Sequence, residues 1–137
     1  MKKLDAGLQQ LEKDLDAMYD WIRKRNPAEQ SVMYLLDLYN PYATVDTPIF
    51  PDQSTQSAAA FSAEQIQRLN KVLQSFADKH SDIVFVDIAS AFDGKEETLV
   101  QGVMDERNPL ILDPHPTEEG HKVIADTLFK EVRENTK

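Results

Sequence analysis

The sequence predicts an α/β domain, a parallel sheet with helices on both faces. Two strand-length apolar runs, "SVMYLLDLYN" and "SDIVFVDI", each follow a segment of helical periodicity. Neither run alternates polar and apolar residues, which suits strands buried on both sides. A third helical pattern closes the chain, and strands alternating with helices imply right-handed crossovers and parallel pairing.

The elements follow in order. Leu4, Leu8, Leu11, Leu15, Met18 and Ile22 repeat at steps of four and three, an apolar seam on one helix. The seam suits a short coiled coil or, more simply, a helix lying on a sheet. Arg23-Lys24-Arg25 then precedes Asn26-Pro27, and cations at a helix end complement its dipole. The first strand is expected within residues 31–40. A variable loop over residues 40–62, with three prolines, comes next. Ser62 with Gln65 reads as a capping box and Phe61 with Ile66 as a hydrophobic staple. A second helix is expected there, with Ile66, Leu69, Val72, Leu73 and Phe76 on its buried stripe. The second strand is expected at residues 81–88, and residues 89–112 give no regular pattern. Thr117 is expected to cap a last helix over 118–134. Two strands leave the apolar faces of three helices poorly covered.

The 137 residues suit one domain with one core. A net charge of −9 argues against nucleic acid as a partner, because phosphate binding needs a cationic face. Without cysteine there is no thiol catalysis, disulfide or thiolate-bound metal. No apolar run reaches the roughly 20 residues of a membrane span. Met1-Lys2-Lys3 runs straight into the charged helical pattern, unlike a signal peptide, and the compartment is left open.

Chemistry concentrates in "LDPHPTEEGH", where Asp113, His115 and His121 stand among two prolines. A catalytic histidine needs an acceptor on one ring nitrogen and a reacting group on the other. Asp113 stands two residues before His115, and Pro114 and Pro116 fix φ on either side of the histidine, just before a helix. The same stretch also reads as a proline-stiffened turn, or as a weak metal site from Asp113, His115 and His121. His121 is expected on the exposed helix surface, and His80 to close the second helix.

"ILDPHPTEEGHKVIADTL" resembles the C-terminal signature of the SGNH (GDSL-type) lipases, esterases and acylhydrolases, in which an Asp and a His-Pro precede a glycine-containing helix. "LQQLEKDLDAMYDWIRKRNPAEQSVMYLLDLYNPY" is similar to the family segment where a helix ending in Asn-Pro leads into a strand and then Leu-Tyr-Asn-Pro. "FSAEQIQRLNKVLQSFADKHSDIVFVDIASAF" resembles the helix and strand that follow. The resemblance implies a flavodoxin-like three-layer α/β/α fold and hydrolysis of small-molecule or lipid esters through a serine nucleophile, without a cofactor or metal. His115 would be the general base and Asp113 its orienting partner.

Two departures stand beside it. Many family members carry the Asp three residues before the His, where this chain has Leu112; a backbone carbonyl would orient His115 if Asp113 did not reach it. The chain also holds no Gly-Asp-Ser and no Gly-x-Asn-Asp. The expectation is therefore a single domain, residues 1–137, forming the C-terminal half of an SGNH hydrolase with its first strands and serine outside the chain. Such a half would be inactive alone, completed by an N-terminal segment or by self-association through the Leu4–Ile22 helix and an open sheet edge.

Overall fold

The structure, a computed structural model, describes residues 2–49 and 56–135. The element order is α1 (Lys2–Arg23), β1 (Met33–Leu36), α2 (Ala58–Asp78), β2 (Ile83–Val86), α3 (Ile88–Phe92), α4 (Glu96–Leu99), β3 (Val100–Val103), β4 (Leu112–Pro116) and α5 (Glu118–Asn135).

β1 and β2 pair in parallel, with Met33 opposite Ile83 and Leu36 opposite Val86. Because strand side chains alternate in direction, one set of positions serves each face. Met33, Leu35 and Phe85 pack with Leu15 of α1 and Leu73, Phe76 and Ala77 of α2. Tyr34, Leu36 and Val86 pack with Ile88, Phe92, Leu99 and Val100, and with Val123, Ile124 and Leu128 of α5. The strands are thus apolar without alternation because both faces are used.

The α1 seam divides. Leu15 is buried and Leu11 packs beside it, but Leu4 and Met18 are exposed. Off the seam, Tyr19 and Arg23 anchor the helix to the start of β2. The Tyr19 hydroxyl donates to Asp82 at 2.9 Å, and Arg23 Nε lies 2.5 Å from Asp82 Oδ2. Arg23 therefore does more than complement a dipole. Arg25 takes the capping role, donating to the Trp21 carbonyl at 3.1 Å and lying over the Trp21 ring. His80 stacks on Tyr19 with ring centroids 3.9 Å apart.

α2 begins earlier than the Ser62 capping box requires. Ser57 is its N-cap and accepts from the Ala60 N–H at 3.2 Å. Ser62 lies in the second turn, its hydroxyl donating back to the Ala58 carbonyl at 2.6 Å. Phe61 lies inside the helix, and Gln65 accepts from Arg68 Nη1. The tertiary reason is visible in the chain before it, where the Ala58 and Ala59 N–H groups donate to the Thr47 and Val45 carbonyls. The expected 40–62 loop is shortened accordingly, and its residues 50–55 lie outside the described residues.

The region without a sequence pattern holds α3, α4 and β3, and the DPHP stretch is itself a strand. β3 and β4 form an antiparallel pair, separate from the parallel sheet. Two strands were therefore hidden, neither of them parallel. Antiparallel strands need only a short connection, here Met104–Ile111, and both ends of it are closed by the Met104 N–H on the Ile111 carbonyl.

Candidate active site

β4 carries Asp113 and His115 on a bulged strand. Val100 faces Pro116, but two residues further along β3, Gly102 faces Asp113, three residues back along β4. The extra β4 residue falls at Pro114–His115, so the ladder is interrupted where the two polar side chains emerge. Bulges aim side chains in this way, and prolines tolerate them because they have no N–H to pair. On the facing strand Gly102 adopts φ +83°, a conformation that favours glycine.

Asp113 Oδ1 receives two bonds from His115. One is the backbone N–H at 3.0 Å, and the other is ring Nδ1 at 2.6 Å. The minus-two spacing therefore reaches the ring directly. The backbone N–H, then the ring, hold the Asp113 carboxyl below its ordinary value. The His115 side chain is 78% exposed, and among the described residues nothing is hydrogen-bonded to Nε2.

Thr117 locks this strand to what precedes it. Its N–H donates to the Leu99 carbonyl and its hydroxyl to the Thr98 carbonyl, both at 2.8 Å. The same hydroxyl accepts from Gly120 N–H at 3.1 Å, capping α5 as its position predicts. His121 sits on the exposed surface of α5, with Nδ1 2.9 Å from the Thr117 carbonyl. It does not join Asp113 and His115: among the described residues no group of three His, Cys, Asp or Glu side chains is placed to hold a metal ion.

Three polar residues around the end of β1 were not singled out from the sequence. Asp37, directly after β1, is 6% exposed and accepts from the Ile88 and Ala89 N–H groups at 2.6 and 2.9 Å. Burial raises its carboxyl above the usual value, against the pull of those two donors. Tyr39 donates its hydroxyl to the Pro114 carbonyl at 2.6 Å and stacks on Phe92. Burial, then the neighbouring Asp113 charge, raise its phenol. Asn70 of α2 accepts from the Leu38 N–H at 3.0 Å and donates to the Leu38 carbonyl at 2.7 Å. A signal existed for Asp37, since a lone carboxylate in an apolar strand run must find donors.

Leu38 and Asn40, on either side of Tyr39, line a cavity of about 700 Å³ at the carboxyl ends of β1 and β2. Phe85, Asp87, Ser90 and the facing side of α2 complete it. Asp113 and His115 are not among its lining residues.

Comparison with known families places the chain. The model described as the GDSL-like Lipase/Acylhydrolase family matches residues 3–123. The chain belongs to that family, a family of hydrolases, and its mixed helices and small parallel sheet agree with an α/β fold of this type. A comparison with curated proteins returns no match. Among the described residues no helix is long and apolar enough to cross a membrane.

Proposed function

We propose that this chain supplies the general base of a serine ester hydrolase whose nucleophile lies outside these 137 residues. The observation that carries the reading is the Asp113–His115 pair at 2.6 Å, with Nε2 facing solvent, in a chain of this family. Asp113 would hold the proton on Nδ1 and leave the Nε2 lone pair for a serine hydroxyl. His115 would take that proton as the serine attacks an ester carbonyl, then return it to the departing alcohol. Asp113 would stabilise the imidazolium between those steps. The chain's seven serines include none in a Gly-Asp-Ser setting. Without a nucleophile and oxyanion donors most of the rate is lost, so the chain alone is inert.

On this reading residues 1–137 are the C-terminal half of one three-layer α/β/α domain. Support comes from the cores on both faces of β1 and β2 and from the narrowness of that sheet. The further family strands would add at a sheet edge, bringing the serine to His115. The loop after β1, where Asn40 and Ala43 border the cavity, would set ester selectivity.

The test is hydrolysis of a short-chain nitrophenyl ester by the purified chain, alone and with a family N-terminal segment carrying Gly-Asp-Ser as a second polypeptide. Turnover is expected only in the mixture and is lost in His115→Ala. Turnover by the chain alone, abolished by the same substitution, would overturn the claim of inertness. Turnover in the mixture that survives His115→Ala would overturn the base assignment.

A second reading, a self-associating module without catalysis, is favoured by one observation. Met18 and Trp21 of α1 are exposed, Trp21 by 58%, beside a two-stranded sheet with unpaired edges among the described residues. Light scattering across a concentration series decides it; a monomer throughout counts against it.

A further inference from the structure

We propose that Tyr39 is a positioning residue for the Asp113–His115 pair, holding the Pro114 peptide so that Asp113 selects the His115 tautomer. This rests on the base assignment above and deepens it.

One torsion on which the geometry of the pair depends is ψ of Pro114. Asp113 Oδ1 accepts both the backbone N–H and ring Nδ1 of His115, closing a loop across Pro114. The proline ring fixes φ at Pro114, but ψ stays free. Rotation about ψ swings the Pro114 carbonyl and the His115 N–H together, because they belong to one planar peptide. The register of the β3–β4 ladder skips Pro114 and His115, so no residue paired across it restrains that peptide. The Tyr39 hydroxyl does, donating to the Pro114 carbonyl at 2.6 Å. Holding the carbonyl oxygen fixes ψ, and with it the direction of the His115 N–H toward Asp113.

Tyr39 is itself well held. Its ring stacks on Phe92 with centroids 4.2 Å apart and planes 13° from parallel, and Phe92 is fully buried. Phe92 ends α3, whose first N–H groups bind Asp37. Asn70 clamps the peptide groups of Leu38, the preceding residue, much as a neighbouring strand would. The hydroxyl is thus braced by α2, α3 and the end of β1. Such a tether needs an aromatic ring for the stack and a hydroxyl for the carbonyl, and tyrosine supplies both.

The test reads the tautomer rather than ester turnover. The chain is labelled with ¹⁵N-histidine, and Nδ1 and Nε2 shifts are measured with the imidazoles neutral. The parent is expected to carry the His115 proton on Nδ1, and Asp113→Asn to lose that preference. Tyr39→Phe keeps the stack and removes the hydroxyl. It is expected to raise the Nε2–H share at His115 about threefold or more, the scale of one ordinary hydrogen bond, while His121 is unchanged. Tyr39→Leu repeats the reading should the phenyl ring not fold in place. An unchanged His115 in a folded Tyr39 variant overturns this inference and leaves the proposed function standing. So does loss of the fold in both variants, which would make Tyr39 a core residue only. A parent His115 protonated on Nε2 overturns the dyad itself.

Discussion

Gly120 lies so close to Leu99 that a Cβ built on it would fall onto the Leu99 carbonyl oxygen and 2.9 Å from Pro116 Cβ. The contact joins the first turn of α5 to the end of α4 and the last residue of β4. In an open helix, replacing glycine by alanine gains up to about 1 kcal/mol. Here the sign reverses, because the partner is backbone. Gly120→Ala is expected to lower stability by about 1–3 kcal/mol in urea unfolding. A more stable variant would show that α5 can move away from Leu99.

The Arg23–Asp82 pair predicts an acid-side dependence. Burial opposes ionisation of Asp82, but the Tyr19 hydroxyl, its own backbone N–H and Arg23 together outweigh it and hold the carboxyl below its ordinary value. With the folded value depressed, the stabilisation is full above the unfolded pKa near 3.9 and fades as pH falls through the folded value. Asp82→Asn is therefore expected to cost stability at neutral pH, by about 2 kcal/mol for a charge pair this shielded. The difference from the parent should shrink below about pH 4. A gap independent of pH would mean that the carboxylate charge is not what Asp82 contributes.

Asp37 predicts the opposite slope. Its carboxyl is raised, chiefly by burial, so the folded protein holds this proton more tightly than the unfolded chain. Its contribution is complete below the unfolded pKa and declines as pH rises through the folded value. Asp37→Asn keeps an acceptor for the Ile88 and Ala89 N–H groups and removes the charge. Its stability relative to the parent is expected to improve as pH rises from about 4. Unfolding midpoints of both chains across pH check this, and a relative stability that falls with pH would reverse the assignment.

The start of α2 makes a simpler contrast. Ser57 accepts the Ala60 N–H as N-cap, whereas Ser62 only bonds back to its own helix. Ser57→Ala should cost about 1 kcal/mol and Ser62→Ala much less. Equal losses would restore the later start.

Periodicity and composition were enough to place α1, α2, α5 and the two parallel strands, because each carries an apolar face that burial requires at its own spacing. The contact between Asp113 and His115 was legible too, since it needs only two residues and a proline between them. Thr117 as the α5 cap was readable for the same reason.

What lay beyond the sequence depends on residues far apart in the chain. Ser62 looked like a cap, and only the Val45 and Thr47 carbonyls bring the helix start back to Ala58. DPHP looked like a turn, and only pairing with β3 makes it a bulged strand. Arg23 looked like a dipole cap until Asp82 came within 2.5 Å of it. The sequence by itself determined which segments must be buried and which pair of side chains can share a proton. Tertiary structure alone decided the strand bearing that pair, the Tyr39 brace behind it and the glycine beneath it, since each is a contact between elements that no local spacing encodes.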